Sequence, residues 1–254
     1  MLEALVPLPS FSAFEAWLSL AGPWLAALDV PFGQPRQLLT RLNWPLSWSG
    51  YVERVGAMEK VDFEQTLQDY QDRQPPGAKQ HTRVTDRRAN SRSPMMLHRV
   101  PVAKMFFQGA PRLLASGVSV LPCHPQHTDR IVIEGYPALV ARRWCGKRSY
   151  KSDERAKQTP ELYATRQQIV EGLCSPALWE AYTLQLQITD KQAQRLVEEP
   201  MGDMLDAVLC AVQAAWAYTQ RENNYGIPTS CDAVEGWIVD PSLLNADLAQ
   251  GRQL

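Results

Sequence analysis

The sequence predicts an α/β protein built on a sheet with parallel strands and flanking helices. Three observations carry that expectation. Two short apolar runs, Trp24 to Asp29 and Arg130 to Glu134, are continuous rather than alternating, as strands covered on both faces are. Long intervening and following stretches repeat their apolar residues at helical spacing instead. Each apolar run also ends on a carboxylate, Asp29 or Glu134, at the strand end where open α/β sheets place their ligands.

The composition narrows the functional classes. With 254 residues and 45% hydrophobic content the chain can bury a core, and it reads as one domain over 1–242 with a flexible tail over 243–254. A formal net charge of -1 argues against non-specific adhesion to nucleic acid or membrane, so any polyanion site must be local. Five cysteines, an odd number without a CxxC pair, suit reduced thiols in a cytoplasmic protein. Residues 1–28 hold Glu3 and Glu15 but no Lys or Arg, unlike a secretory leader. The uncharged run from Ala16 to Leu28 is too short to span a bilayer, so no membrane partner is expected.

Taken in order, Phe11, Phe14, Trp17 and Leu18 follow a capping Ser10 and predict a helix that stops at Gly22. The first strand follows, closed by Pro31 and Gly33. From Gln34 to about Asp72 the pattern is helical, interrupted at Pro45. Arg73 to Arg99 then holds Lys79, Arg83, Arg87, Arg88, Arg92 and Arg99 against a single acid, Asp86, and reads as a mobile basic loop able to track a phosphate backbone. Val102 to Ala115 predicts a helix stopped by Gly117, and Val118 to Leu121 a strand. Cys123, His124 and His127 in the next turn lack a fourth ligand at a zinc-finger spacing. After the second long strand, Pro137 opens a helix that runs to Gly146. Lys147 to Lys151, with Arg155 and Lys157, forms a second basic segment. Thr159-Pro160 opens a helix to about Leu173, and Thr189 with Gln192 forms a capping box. Glu235 to Val239 reads as a last edge strand.

The stretch Glu199 to Trp216 places Asp203 and Asp206 at the head of an apolar helix. Their spacing leaves the Cβ atoms about 5–6 Å apart on one face. The plain structural reading makes Asp203 the N-cap and Asp206 a first-turn acid favoured by the helix dipole. Set beside Asp29 and Glu134, however, they complete a group of hard oxygen donors suited to Mg²⁺ or Mn²⁺. Two such ions about 3.5–4 Å apart can activate water and stabilise a leaving oxygen in phosphodiester hydrolysis. No Walker A sequence, GxGxxG or GxSxG offers a competing chemistry.

The segments Leu28-Asp-Val-Pro-Phe-Gly-Gln-Pro35, Thr85-Asp-Arg87, Ile133-Glu-Gly-Tyr-Pro-Ala138 with Tyr150-Lys151, and Asp203-Met-Leu-Asp-Ala207 resemble, in order, the motifs of a predicted-nuclease family, domain of unknown function 429. That family is similar to the resolvase-type branch of the RNase H-like superfamily. The resemblance implies an RNase H-like mixed sheet flanked by helices and a metal-dependent nuclease site ligated by Asp29, Glu134, Asp203 and Asp206. It also exposes a departure. Such folds begin with a three-stranded meander whose first strand is central in the sheet and carries the leading catalytic Asp, whereas Asp29 is the first Asp here. Amino-terminal strands are therefore expected to be missing, through a start upstream of Met1 or decay of this copy, leaving the Trp24 strand with an open edge. Each backbone group so orphaned would cost about 1–3 kcal/mol.

The function expected is a Mg²⁺- or Mn²⁺-dependent nuclease. Asp29, Glu134 and Asp206 would hold metal, with Asp203 as second ligand or base. Lys79, Arg83, Arg87, Arg88, Arg92, Lys151 and Arg155 would grip the nucleic acid. The alternative is a non-catalytic nucleic-acid or protein binding module on the same fold, in which the acids only cap and solubilise.

Overall fold

The computed structural model describes residues 1–152 and 154–244, without the side chain of Arg155. Ser10 starts the first helix, α1 (Phe11–Leu18), its hydroxyl accepting the amide of Ala13 at 3.2 Å. The strand β1 (Trp24–Leu28) follows. Three helices follow and feed one core: α2 (Arg36–Arg41), α3 (Trp48–Gly56), capped by Ser47, and α4 (Lys60–Asp72). After them come α5 (Val84–Ala89) and α6 (Val102–Ser116), which ends on Gly117 in the left-handed region at φ 66°. Strands β2 (Ser119–Leu121) and β3 (Arg130–Glu134) lead into α7 (Pro137–Cys145). The carboxyl-terminal helices are α8 (Pro160–Leu173), α9 (Pro176–Tyr182), α10 (Asp190–Glu198), α11 (Asp203–Thr219) and the short α12 (Pro241–Leu244). The predicted capping box opens α10, with Thr189 and Gln192 exchanging side-chain and backbone bonds.

The described strands form one sheet in the order β1-β3-β2, every pair parallel, with Leu28 opposite Glu134 and Leu121 opposite Ile133. A mixed sheet was expected from the resemblance. The segment read as a last edge strand, Glu235 to Val239, contributes only an isolated parallel bridge between Ile238 and Glu134. This leaves β1 at an edge. The amide of Trp24 bonds to Asp129 at 3.0 Å and that of Gly135 to the carbonyl of Leu28 at 2.9 Å, so residues 24, 26 and 28 address β3. The N–H and C=O groups of Leu25 and Ala27 consequently face away from the sheet.

Adjacent residues of β3 belong to different cores. Val132 packs with α3, α4 and α6, around Tyr51, Phe63 and Phe106. Ile133 packs with α7, α8, α9 and α11, around Ile169, Tyr182 and Leu209. The apolar strand pattern thus serves two hydrophobic layers, as predicted for a sheet covered on both faces. At β1 the cover is incomplete: all five of its residues remain partly accessible.

Two further expectations need correction. The segment 73–99 is not simply a solvated loop. It contains α5 and buries Arg83, Thr85, Asp86, Ser93, Met95 and Leu97, because an ion pair and a few apolar anchors tie it to the sheet. The expected tail begins too early, since Leu243 is buried at 2% exposure; residues 245–254 lie outside the described residues. All five cysteines are free, with Cys145 and Cys210 buried. Among the described residues no helix is long and apolar enough to cross a membrane.

Candidate functional site

The carboxyl ends of β1 and β3 and the amino end of α11 converge on a cleft. Its inner part is a cavity of about 310 Å³ that touches Asp29, Glu134, Tyr136, Tyr150, Lys151 and Asp206. Asp29, Lys151, Asp203 and Asp206 also line a groove of about 1490 Å³ running along β1. The predicted acids therefore stand where a small cavity meets a long open groove.

Helix α11 enters the cleft through Gly202, which sits at the capping position with φ 76°. A Cβ there would lie 2.9 Å from the Lys151 side chain, so glycine allows both the left-handed backbone and the approach of Lys151. Asp203 is accordingly not the cap; it and Asp206 both lie in the first turn, where the helix dipole favours negative charge. Asp206 is buried at 7% exposure and accepts the Tyr150 hydroxyl at 2.5 Å on Oδ1 and the Lys151 ammonium on Oδ2. Burial raises the Asp206 carboxyl, against the pull of Lys151 and Tyr150. Burial lowers the Lys151 ammonium, but Asp206 and Asp29 more than offset this and leave it raised.

Asp29 follows directly from the last residue of β1. Its carboxyl is pushed up to about 6, first by burial and then by the charge of Asp206, with Lys151 opposing. Among the described residues no side chain or amide hydrogen bonds to that carboxylate. A partly buried carboxylate with no donor is costly as an anion, and either a proton or a cation relieves it.

Glu134 is occupied differently. Its Oε2 accepts the Phe32 amide at 2.9 Å and Arg83 Nη1 at 2.8 Å, while Oε1 accepts Arg83 Nη2 at 2.6 Å. Arg83 in turn holds Asp86 through Nε at 3.0 Å and Nη2 at 2.7 Å, and bonds the Glu235 carbonyl at 3.0 Å. Burial raises the Glu134 carboxyl and Arg83 opposes the rise.

The predicted phosphate-binding cations separate into groups. Arg83 is buried at 2% exposure and held by two acids, so it cannot reach a phosphate as expected of it. Arg92 is exposed and borders the inner cavity. Arg87 is exposed and donates to the Thr82 carbonyl at 2.7 Å; Arg88 lies over the Trp237 ring at 5.3 Å. Lys79 stands apart, 3.7 Å from Asp72. Lys151 is in the cleft, and the Arg155 side chain lies outside the described residues.

The donor chemistry suits a hard cation in part. Asp29 is unpartnered, Asp203 is exposed, and Asp206 presents a carboxylate already shared with an ammonium. Glu134 has both oxygens committed. Among the described residues no three His, Cys, Asp or Glu side chains are gathered closely enough to hold a metal ion as they stand. Cys123, His124 and His127 form no such group either; His124 stacks on Trp48 at 5.6 Å.

Sequence reasoning passed over several supporting groups. Gln213 is fully buried, accepts the Tyr136 amide on Oε1 at 2.8 Å and donates to Asp240 at 3.1 Å, fixing the turn after Glu134. Tyr182 donates to the same Asp240 carboxylate at 2.7 Å. A lone polar residue inside an apolar helix, as Gln213 is in α11, was the available signal. Tyr150 was visible only as part of a motif, its role set by a contact 56 positions away.

No curated protein and no solved structure matches the chain. A family model described as "Protein of unknown function (DUF429)" matches residues 5–230, which is most of the chain. The chain belongs to the DUF429 family.

Proposed function

We propose that the cleft is the site of a Mg²⁺- or Mn²⁺-dependent nuclease on an RNase H-like fold. The observation that carries this reading is Asp29: an unpartnered, partly buried carboxylate at the end of a parallel strand, facing a second acid. Asp29 and Asp206 would hold the ion, with Asp203 as a further ligand or base. When bound, the ion would supply charge stabilisation to a phosphoryl oxygen and lower the pKa of a bound water.

The remaining roles belong to the chain's own residues. Tyr150 fixes the Asp206 carboxylate by donating to one oxygen. Lys151 balances its charge and can turn its ammonium toward a phosphate that enters the cleft. Arg92, at the rim of the cavity, is placed to take a neighbouring phosphate. Glu134 enters this reading as the anchor of Arg83, holding the α5 segment against the strand end.

The test is cleavage of single- and double-stranded nucleic acid with Mn²⁺ or Mg²⁺, by the chain and by Asp206→Asn. Loss of cleavage in a variant with an unchanged circular dichroism spectrum supports the assignment; undiminished cleavage overturns it. The second reading, a non-catalytic binding module, is favoured by the engagement of Asp206 with Lys151 and of Glu134 with Arg83. It predicts salt-dependent binding without turnover, indifferent to EDTA.

A further inference from the structure

We propose, resting on the metal-dependent reading of the cleft, that Lys151 is a latch: its ammonium occupies an oxygen of Asp206 that the ion needs, and an entering phosphodiester draws it away, so that ion and nucleic acid load together. The observation behind this is an occupied contact, internal to residues 150–206 and separate from the edge of β1. Both Asp206 oxygens are taken, Oδ1 by the Tyr150 hydroxyl at 2.5 Å and Oδ2 by the Lys151 ammonium. A positive group seated on a carboxylate oxygen repels a divalent cation from that oxygen. Neighbouring acids do not make up the loss, since among the described residues no three His, Cys, Asp or Glu side chains gather closely enough to hold an ion. With Lys151 in place the cleft is a poor seat for metal.

The two cation–carboxylate contacts of the cleft differ in what can release them. Arg83 is excluded from water and clamped between Glu134 and Asp86, so a ligand entering the cavity does not displace it. Lys151 carries a single ammonium on a flexible four-carbon stem, and 35% of its side chain is exposed. Its backbone has no need to move. The buried Arg166 guanidinium holds the Tyr150 carbonyl at 2.9 Å and the Val197 carbonyl at 2.7 Å. Gly202, where a Cβ would lie 2.9 Å from the Lys151 side chain, leaves the stem its room at the start of α11. Tyr150 remains on Oδ1 when the ammonium leaves, so the Asp206 carboxylate keeps its orientation.

Phosphate is the chemistry that fits this release. A phosphodiester is an anion whose oxygens can take the ammonium in exchange for Asp206, and Lys151 borders the inner cavity together with exposed Arg92. Phosphate and ion then each remove what opposes the other. Moving the ammonium frees Asp206, while a cation on Asp206 repels the ammonium and attracts the phosphate. Such coupling is reciprocal: nucleic acid raises the affinity for the ion by the factor by which the ion raises the affinity for nucleic acid. A neutral ligand of the same shape exerts no such pull.

The experiment measures Mn²⁺ binding to the full chain from the electron paramagnetic resonance of the free ion. It compares no oligomer, a nuclease-resistant phosphorothioate oligothymidylate and its uncharged methylphosphonate analogue, each oligomer alone serving as the blank. The charged oligomer should tighten Mn²⁺ by about tenfold or more, and the uncharged one should not. Lys151→Met, with an unchanged circular dichroism spectrum, should bind Mn²⁺ about tenfold more tightly than the parent without any oligomer and gain little when the charged one is added. Loss of the coupling separates a latch from a charge that only repels the ion at a distance. Equal Mn²⁺ binding by the parent with and without the charged oligomer, a comparison that needs no variant, would overturn the latch and leave the metal reading standing. Equal help from the methylphosphonate, weaker Mn²⁺ binding by Lys151→Met, or full coupling retained in that variant would overturn it as well. No Mn²⁺ bound by either protein under any of these conditions would remove the metal reading and the latch with it.

Discussion

Arg83 and Glu134, fifty-one residues apart in sequence, meet guanidinium to carboxylate at 2.6 and 2.8 Å with both side chains excluded from water. Asp86 completes the arrangement, so one buried cation stands between two buried anions. Such a pair need not stabilise relative to apolar packing, but removing one member leaves an unpaired buried charge. Arg83→Met should therefore cost about 3–5 kcal/mol, read by urea denaturation, and the double variant Arg83→Met with Glu134→Gln should recover part of that loss. A loss below about 1 kcal/mol in the single variant would mean the charges are far better solvated than their burial indicates.

Asp29 makes stability depend on pH in an unusual direction for a carboxyl. Its folded value of about 6 lies above the ordinary 3.8, so the contribution is fully present below about pH 4 and is lost as the pH rises through about 6. Asp29→Asn removes this dependence. At pH 8 the variant should be more stable than the parent by up to about 3 kcal/mol, and at pH 4 the two should nearly coincide. Parallel stability curves across that interval would show that the fold does not raise this carboxyl.

A cation that replaces the missing proton on Asp29 should show itself without any turnover. At pH 7.5, Mn²⁺ at about a hundred times its dissociation constant should add about 2.7 kcal/mol, or about 2–4 °C in Tm for each kcal/mol in a chain of this size. EDTA should reverse the shift and Asp29→Asn should not display it. Identical melting with Mn²⁺ and with EDTA would count against the metal reading and for the binding module.

If nucleic acid follows the rim of the cleft, Arg92 contributes a phosphate contact and Arg83 does not. Arg92→Ala should weaken binding uniformly across sequences and lower the salt slope by about 1. Lys79→Ala, outside the cavity lining and paired with Asp72, should leave the slope nearly unchanged. Equal effects of the two would place the nucleic acid elsewhere.

Much of the fold was legible because local rules and tertiary packing agree. Ser10, the Thr189 and Gln192 box, Pro137 and Gly117 mark helix ends by requirements of the backbone itself, and continuous apolar runs mark β1 and β3. The positions of Asp29 and Glu134 followed from those strands. Their partners did not, because nothing in a linear pattern says that Arg83, one of several arginines in a polar stretch, is the one neutralised in the core. For the same reason Lys151 read as a phosphate contact, whereas the structure seats it on Asp206. The short helix α9 went unread although Ser175 and Pro176 give it an ordinary start, and residues 236–239 are buried without becoming a ladder strand.

The division of the molecule by β3 also orders its assembly in time. The core around Phe63 and Phe106 draws its fully buried members from residues 18–132, whereas the other core draws on residues 89–243. The buried members of the first layer are therefore all synthesised before α7, although Val234, which packs against it, comes later. Asp203 and Asp206, on α11, are translated long afterwards, and the Tyr150 and Lys151 contacts to Asp206 can form only then. The nascent protein thus carries Asp29 on a strand that half the molecule already supports, and the cleft is among the last features to close.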